Sequence, residues 1–197
     1  MNHKQNASEQ LALLDVNKDL FILILQKEQS MSACYPKYKI GSHVDSFCWN
    51  EISYSLVLLS ESKVTLFHYP SAPFIDIELL TDTTEYLDIQ IEEKDKLVSF
   101  HGAHIFMKCP NGRILETIIA EDTHHLYENA LASKWKECFQ FCRYVDRTPI
   151  WAAFACLALN EDNLEMAEVA LTEIKRVDKI DLIKHIHTIQ DQEVSEI

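Results

Sequence analysis

Two cysteines, Cys138 and Cys142, stand four residues apart, a spacing that would bring both thiols to one face of a helix and toward a common metal. A zinc site needs two further ligands, and the neighbouring His124 and His125 would diverge on a helix. The same face carries Trp135 and Phe139, so packing as small apolar side chains is the expectation for both thiols. His101-x-x-His104 flanks a turn, and His185-x-His187 splays its rings apart on a helix. Neither pair stands beside a cysteine or serine that it could activate. The acidic runs Asp88 to Asp95 and Glu161-Asp162 lack the ligand spacing and central glycine of a calcium loop, which leaves solvated surface. Trp49, Trp135 and Trp151 would serve as interface anchors if exposed, but two of them fall on helix core faces. No catalytic, cofactor-binding or metal-binding residue is assigned, no cofactor is expected, and the chain is expected not to be an enzyme.

Composition narrows the choice further. Only three glycines occur, Gly41, Gly102 and Gly112, so no glycine-rich loop can bring its backbone up to a phosphate. The 197 residues carry 18 Lys+Arg against 31 Asp+Glu, a net charge of -13, which repels nucleic acid and anionic membrane. The opening residues MNHKQNASEQ are polar, and the richest apolar helical stretch, Ile150 to Leu159, is ten residues long. No leader or membrane insertion is therefore expected, and the six cysteines are expected to be reduced thiols of a cytosolic-type chain.

The elements that would position these residues divide into two halves. Residues 1–120 read as short antiparallel strands: LALLDV and DLFILIL around Asn17-Lys18, VDSFCWN, then SLVLLS and KVTLFHY around Glu61-Ser62. After Pro70 and Pro73, residues Thr81 to Lys96 read as a long acidic surface loop. LVSF, AHIFMK and RILETII follow, with turns at His101-Gly102 and at Cys109-Pro110-Asn111-Gly112. The meander suits propeller blades or a sandwich. A blade takes about 40–45 residues and a ring needs several, so this half is either a small sheet of its own or a piece of a larger ring, two to three blades at most. Residues 121–197 change to helical period. A short helix over Leu126 to Ala132 precedes helices starting near 134, 149, 163 and 178, with Asn163 expected as an N-cap. Hairpin pairs repeating at that spacing, with alanines at the crossings, describe an antiparallel solenoid of tetratricopeptide (TPR) type. The final helix carries Ile180, Leu182, Ile183, Ile186 and Ile189 with no helix after it, which predicts a partner on that face.

The run LYENALASKWKECFQFCRYVDRTPIWAAFACLAL, followed by MAEVALTEIKRVDKIDLIKHI, resembles the helical region behind the propellers of intraflagellar transport complex B subunits. Lys134-Trp135, Cys142-Arg143, Trp151-Ala152, Ala167-Glu168 and Val177-Asp178-Lys179 keep their relative places. Trp49-Asn50, VTLFHYP with Asp76 and Glu78-Leu79-Leu80, and VSFHGAHIFMK-CPNG-RIL resemble a closing WD-repeat blade. The segment Glu121-Asp122-Thr123-His124 departs from the family, which has a proline-containing link there. The resemblance implies partial WD40-type propeller blades followed by a TPR-like α-solenoid. It also implies a chain that starts inside a second propeller and stops early, as a fragment, short isoform or partial gene model would. The implied role is that of a structural subunit supporting cilium assembly. Its partners would be other complex B subunits or a second copy, and its location the cilium, ciliary base or basal body and cytoplasm. A vesicle-coat or sorting scaffold shares the same plan and is the rival reading, with an enzyme behind it.

Overall fold

The strands form where β-branched and aromatic residues cluster between turn residues, and a computed structural model describes residues 9–25, 36–92, 94–120 and 122–185. Among the described residues ten strands arise in chain order. They are β1 (Glu9–Leu14), β2 (Leu20–Leu25), β3 (Lys37–Gly41), β4 (Val44–Trp49), β5 (Leu56–Ser60), β6 (Lys63–Phe67), β7 (Thr84–Leu87), β8 (Lys96–His101), β9 (His104–Lys108) and β10 (Ile114–Ile118). They build three antiparallel meanders, β1-β2-β3, β4-β5-β6-β7 and β8-β9-β10.

The middle sheet is a four-stranded blade buried on both faces. Val57, Leu59, Val64 and Leu66 pack on Leu97, Phe100, Ile105 and Met107 of the third sheet. Leu56, Leu58 and Phe67 pack the other way, on Leu20, Ile22 and Ile40. Burial on both sides explains why SLVLLS reads as a continuous apolar run rather than an alternation. The second and third sheets meet along their first strands. Asn50 and Phe100 form a parallel bridge, and the Leu97 N–H donates to Ser46 Oγ at 2.9 Å. Residues 88–95 carry the chain from the outer strand β7 to the inner strand β8.

The first sheet joins differently. Only Ser42 and His43 separate β3 from β4, which limits the Gly41–Val44 reach to about 11 Å, against about 14 Å across a four-stranded blade. The connection is therefore a corner. At Gly41 a Cβ would stand 3.0 Å from side-chain atoms of both Leu58 and Val44.

Turn chemistry explains most of the hairpins. Glu61 and Ser62 both have positive φ, 50° and 61°, which suits the twist of a two-residue hairpin between β5 and β6. The expected two-residue turn at Asn17-Lys18 is instead a five-residue loop, residues 15–19. Asp15 Oδ1 organises it by accepting the N–H groups of Asn17 and Asp19 at 2.9 and 2.8 Å.

One strand was not read from the sequence, and one further expectation is corrected. KYKI at residues 37–40 forms β3, which its alternation with lysines had concealed. The stretch Thr81 to Lys96 is not one surface loop. It begins inside a short helix, α1 (Leu79–Asp82), preceded by a 3-10 turn over Ala72–Phe74, and then gives the edge strand β7. Asp95 within it is buried, accepting the Glu92 N–H through Oδ2 at 2.9 Å.

The helices are α2 (Asp122–Leu131), α3 (Trp135–Val145), α4 (Thr148–Asn160), α5 (Leu164–Glu173) and α6, residues 177–185. α2 begins four residues before the expected Leu126. Asn163 caps α5 as expected, its Oδ1 accepting the Met166 N–H at 3.2 Å. The four interhelical turns each use a non-glycine residue in the left-handed region: Ser133, Asp146, Asp162 and Lys175. α4 is buried almost throughout and packs against α2, α3 and α5. Ala153, Ala158, Ala167 and Ala170 permit that approach. The solenoid core takes in three residues from the β half, Tyr69, Ala72 and Leu79.

Candidate interaction site

The segment from Tyr69 to Glu85 leaves the blade at the end of β6, crosses the helical core and returns as β7. Its acidic residues meet basic residues of the solenoid. Arg176 Nε donates to Asp82 Oδ2 at 2.6 Å, and Lys179 Nζ lies 2.5 Å from Asp76 Oδ2 and 3.0 Å from Glu78 Oε2. Arg147, just before α4, binds Glu85 through one nitrogen and Asp122 through another, the latter at 2.7 Å. Behind this fork lies His68, 1% exposed, whose Nδ1 is 2.5 Å from Thr123 Oγ1 and whose Nε2 is 2.9 Å from Glu85 Oε2.

The electrostatics follow the geometry. The hydrogen bond to His68, with help from Arg147, holds the Glu85 carboxyl below its ordinary value although burial opposes the shift. At Asp76 burial pushes up, but bonds from Lys179 and the Glu78 N–H outweigh it and the net shift is down. Lys179 is raised by its hydrogen bonds to Asp76 and Glu78. Asp76, Glu85, Arg176 and Lys179 are thus each biased toward the charged form. Such an arrangement fixes an angle between two bodies, and its hydroxyl–imidazole contact, Thr123 to His68, is buried away from solvent, the two residues being 5% and 1% exposed.

The residues that sequence chemistry singled out are scattered. Cys138 and Cys142 are fully buried in the helical core, and Cys138 Sγ donates weakly to the Leu126 carbonyl at 3.8 Å. Burial pushes the Cys138 thiol up to about 11 and Cys142 higher still. Among the described residues no group of three or more His, Cys, Asp or Glu could hold a metal ion. His101 and His104 turn to different carboxylates, Glu51 at 2.9 Å and Glu116 at 2.6 Å. His124 approaches Glu128, while His125 lies against Phe141. His185 is exposed and His187 lies outside the described residues. Trp151 is 3% exposed and packs edge-on against Phe139 and tilted against Phe154, and Trp135 and Trp49 are half-buried against core clusters. Glu161 and Asp162 form the exposed turn after α4. No helix among the described residues is long and apolar enough to cross a membrane.

The terminal helix is less open than its composition suggested. Ile180 and Ile183 are buried in the solenoid core, whereas Leu182 is 57% exposed. Ile186 and Ile189 lie outside the described residues.

The network itself was missed. His68, Glu85, Thr123 and Arg147 are dispersed between positions 68 and 147, and no local pattern joins them. A partial signal existed in Asp76, Glu78 and Lys179, which carry the family resemblance, and in Asp122-Thr123, which depart from it.

Open propeller-type sheets locked by ion pairs to a TPR-like helical stack define a propeller–solenoid class, β first and α second. The comparisons with known proteins agree. The IFT80 second beta-propeller model matches residues 1–121, and the IFT80/172/WDR35/WDR19 TPR domain model matches residues 150–197. The chain belongs to the IFT80 family. Proteins described as intraflagellar transport protein 80 homolog, from Rattus norvegicus and Mus musculus, are each 25% identical over 207 residues. The match takes in 97% of this chain and 26% of either relative, so the chain spans about a quarter of their length.

Proposed function

We propose that this chain is a non-enzymatic structural segment of the intraflagellar transport machinery, supporting cilium assembly through protein–protein contacts. The observation that carries it is the junction. A blade and a solenoid are tied by His68, Glu85, Arg147, Arg176 and Lys179 at a set angle, which is what a subunit needs to present two binding surfaces in register. Family membership supports the same reading. The partners are other complex B subunits or a second copy of the chain, and the locations are the cilium, its base and the cytoplasm. The division into residues 1–120 and 121–197 is part of the proposal, supported by the last strand ending at Ile118 and the first solenoid helix starting at Asp122.

The test is expression of the tagged chain in ciliated cells whose own subunit is depleted. Movement with transport trains, and its loss when Arg147 and Arg176 are both changed to Glu, is the expected result. Uniform cytoplasmic signal with no co-purifying transport subunit would overturn the proposal.

A further inference from the structure

An open groove of about 410 Å³ runs between α3 and α5, lined by Lys136, Phe139, Gln140, Arg143 and Met166. Its base is apolar. Phe139 rests edge-on against Trp151 of α4 at 5.9 Å between ring centres, and Met166 packs against the same core. Its rim is basic, with Arg143 placed 5.7 Å from the Phe139 ring and Lys136 two helical turns away. No lining residue is acidic.

That charge pattern runs against the chain as a whole. Acidic residues outnumber basic ones by 31 to 18, and Arg147, Arg176 and Lys179 are all committed to carboxylates. Lys136 and Arg143 are exposed and form no ion pair with any described residue. Two unpaired cations therefore flank an apolar trough, seven residues apart on one helix, which is about 10 Å along its axis.

We infer that this groove receives an acidic amphipathic helix from a partner protein. Two of its carboxylates, spaced two turns apart, would meet Lys136 and Arg143, and a large apolar side chain midway between them would enter the space beside Phe139 and Met166. Helix-in-groove recognition uses apolar anchors at such spacings, and the rim charges set orientation and reject basic helices. The inference rests on the scaffold reading, and its test is separate from the test of transport. Loss of train movement would leave a groove that still binds, and an inert groove would leave train movement intact.

The probe is a fluorescent alanine-based helical peptide with glutamates seven residues apart and a leucine midway between them, titrated into the full chain by anisotropy. Binding is expected, about tenfold weaker for Lys136→Glu with Arg143→Glu and restored by a peptide carrying lysines for the glutamates. Circular dichroism of the double variant should match the native chain, since both side chains are exposed and neither is in an ion pair with a described residue. Unchanged affinity in the variant, equal binding of the lysine peptide to the native chain, or no binding of the acidic peptide would each overturn the inference. So would capture of phosphatidylserine vesicles, lost in the variant, in place of the peptide.

Discussion

Arg176 Nε lies 2.6 Å from Asp82 Oδ2, joining the turn before the last described helix to the short helix that precedes β7, 94 residues earlier. The pair is half-buried, and Lys179 repeats the connection one turn on to Asp76 and Glu78. Together with the Arg147 fork it makes the blade–solenoid joint a set of specific contacts rather than an apolar slip plane.

Removing the fork should be costly. Arg147→Ala leaves Glu85 and Asp122 without their shared partner, and a charged hydrogen-bonding group is worth about 1.5–3 kcal/mol when so placed. Urea unfolding should show a loss in that range, with Arg147→Lys intermediate because a single ammonium lacks the rigid pair of nitrogens that meets the two carboxylates. An unchanged midpoint for Arg147→Ala would show that the joint does not depend on it.

Acid should loosen the same joint. Glu85 and Asp76 have folded values below their ordinary 4.5 and 3.8, so the folded state binds those protons less readily than the unfolded state. Their stabilisation is complete above the ordinary carboxylate range and is lost as pH falls through the lowered values. Lys179 works at the other end, its contribution present below its ordinary 10.5 and lost as pH rises through its raised value. Urea midpoints measured from pH 7 down to pH 3 should fall, and Glu85→Gln with Asp76→Asn should flatten the fall. An equal slope in the double variant would exclude these two groups.

Thiol labelling gives an independent check on packing. Cys138, Cys142 and Cys156 are buried and burial raises all three, so each is a poor nucleophile as well as an inaccessible one. Mass spectrometry after brief maleimide treatment of the native chain should find them unmodified while the half-buried Cys48 reacts slowly. Rapid native labelling of Cys142 would contradict the core assignment.

One turn offers a gain. Lys175 holds φ 61° between α5 and α6, a conformation that disfavours side chains with a Cβ. Lys175→Gly should therefore stabilise by about 0.5–1 kcal/mol, the roughly 1–2 kcal/mol cost of a left-handed Cβ less the extra unfolded-state freedom of glycine, read as a higher melting temperature. A lower melting temperature would show that the lysine makes a compensating contribution.

Much of this architecture was legible because local patterns agreed with tertiary demand. The periodicity of Trp135, Cys138 and Cys142, the Asn163 cap and the Glu61-Ser62 hairpin each follow from neighbours within a few residues. β3 and β7 were not legible. Lysines interrupt one, and TEYL is a four-residue acidic edge strand whose pairing with β6 depends on a detour through the helical core. The joint was hidden for a related reason. His68, Thr123 and Arg147 acquire meaning only once two distant chain segments meet, and no spacing rule encodes that meeting. The resemblance reached the family but not these contacts, since two of the joint's residues lie where the chain departs from the family pattern.

The insertion of Tyr69, Ala72 and Leu79 into the helical core has a mechanical consequence. Tension applied between blade and solenoid divides over two load paths, the covalent link around residue 120 and the strap anchored through Asp82 and Asp76. Shear at the joint must extract buried rings and break ion pairs before the link takes the full load. The compliance of the joint under load is therefore set by contacts distant from the covalent crossing. Cutting the chain at that crossing would strip a wedge from the solenoid rather than free two independent bodies.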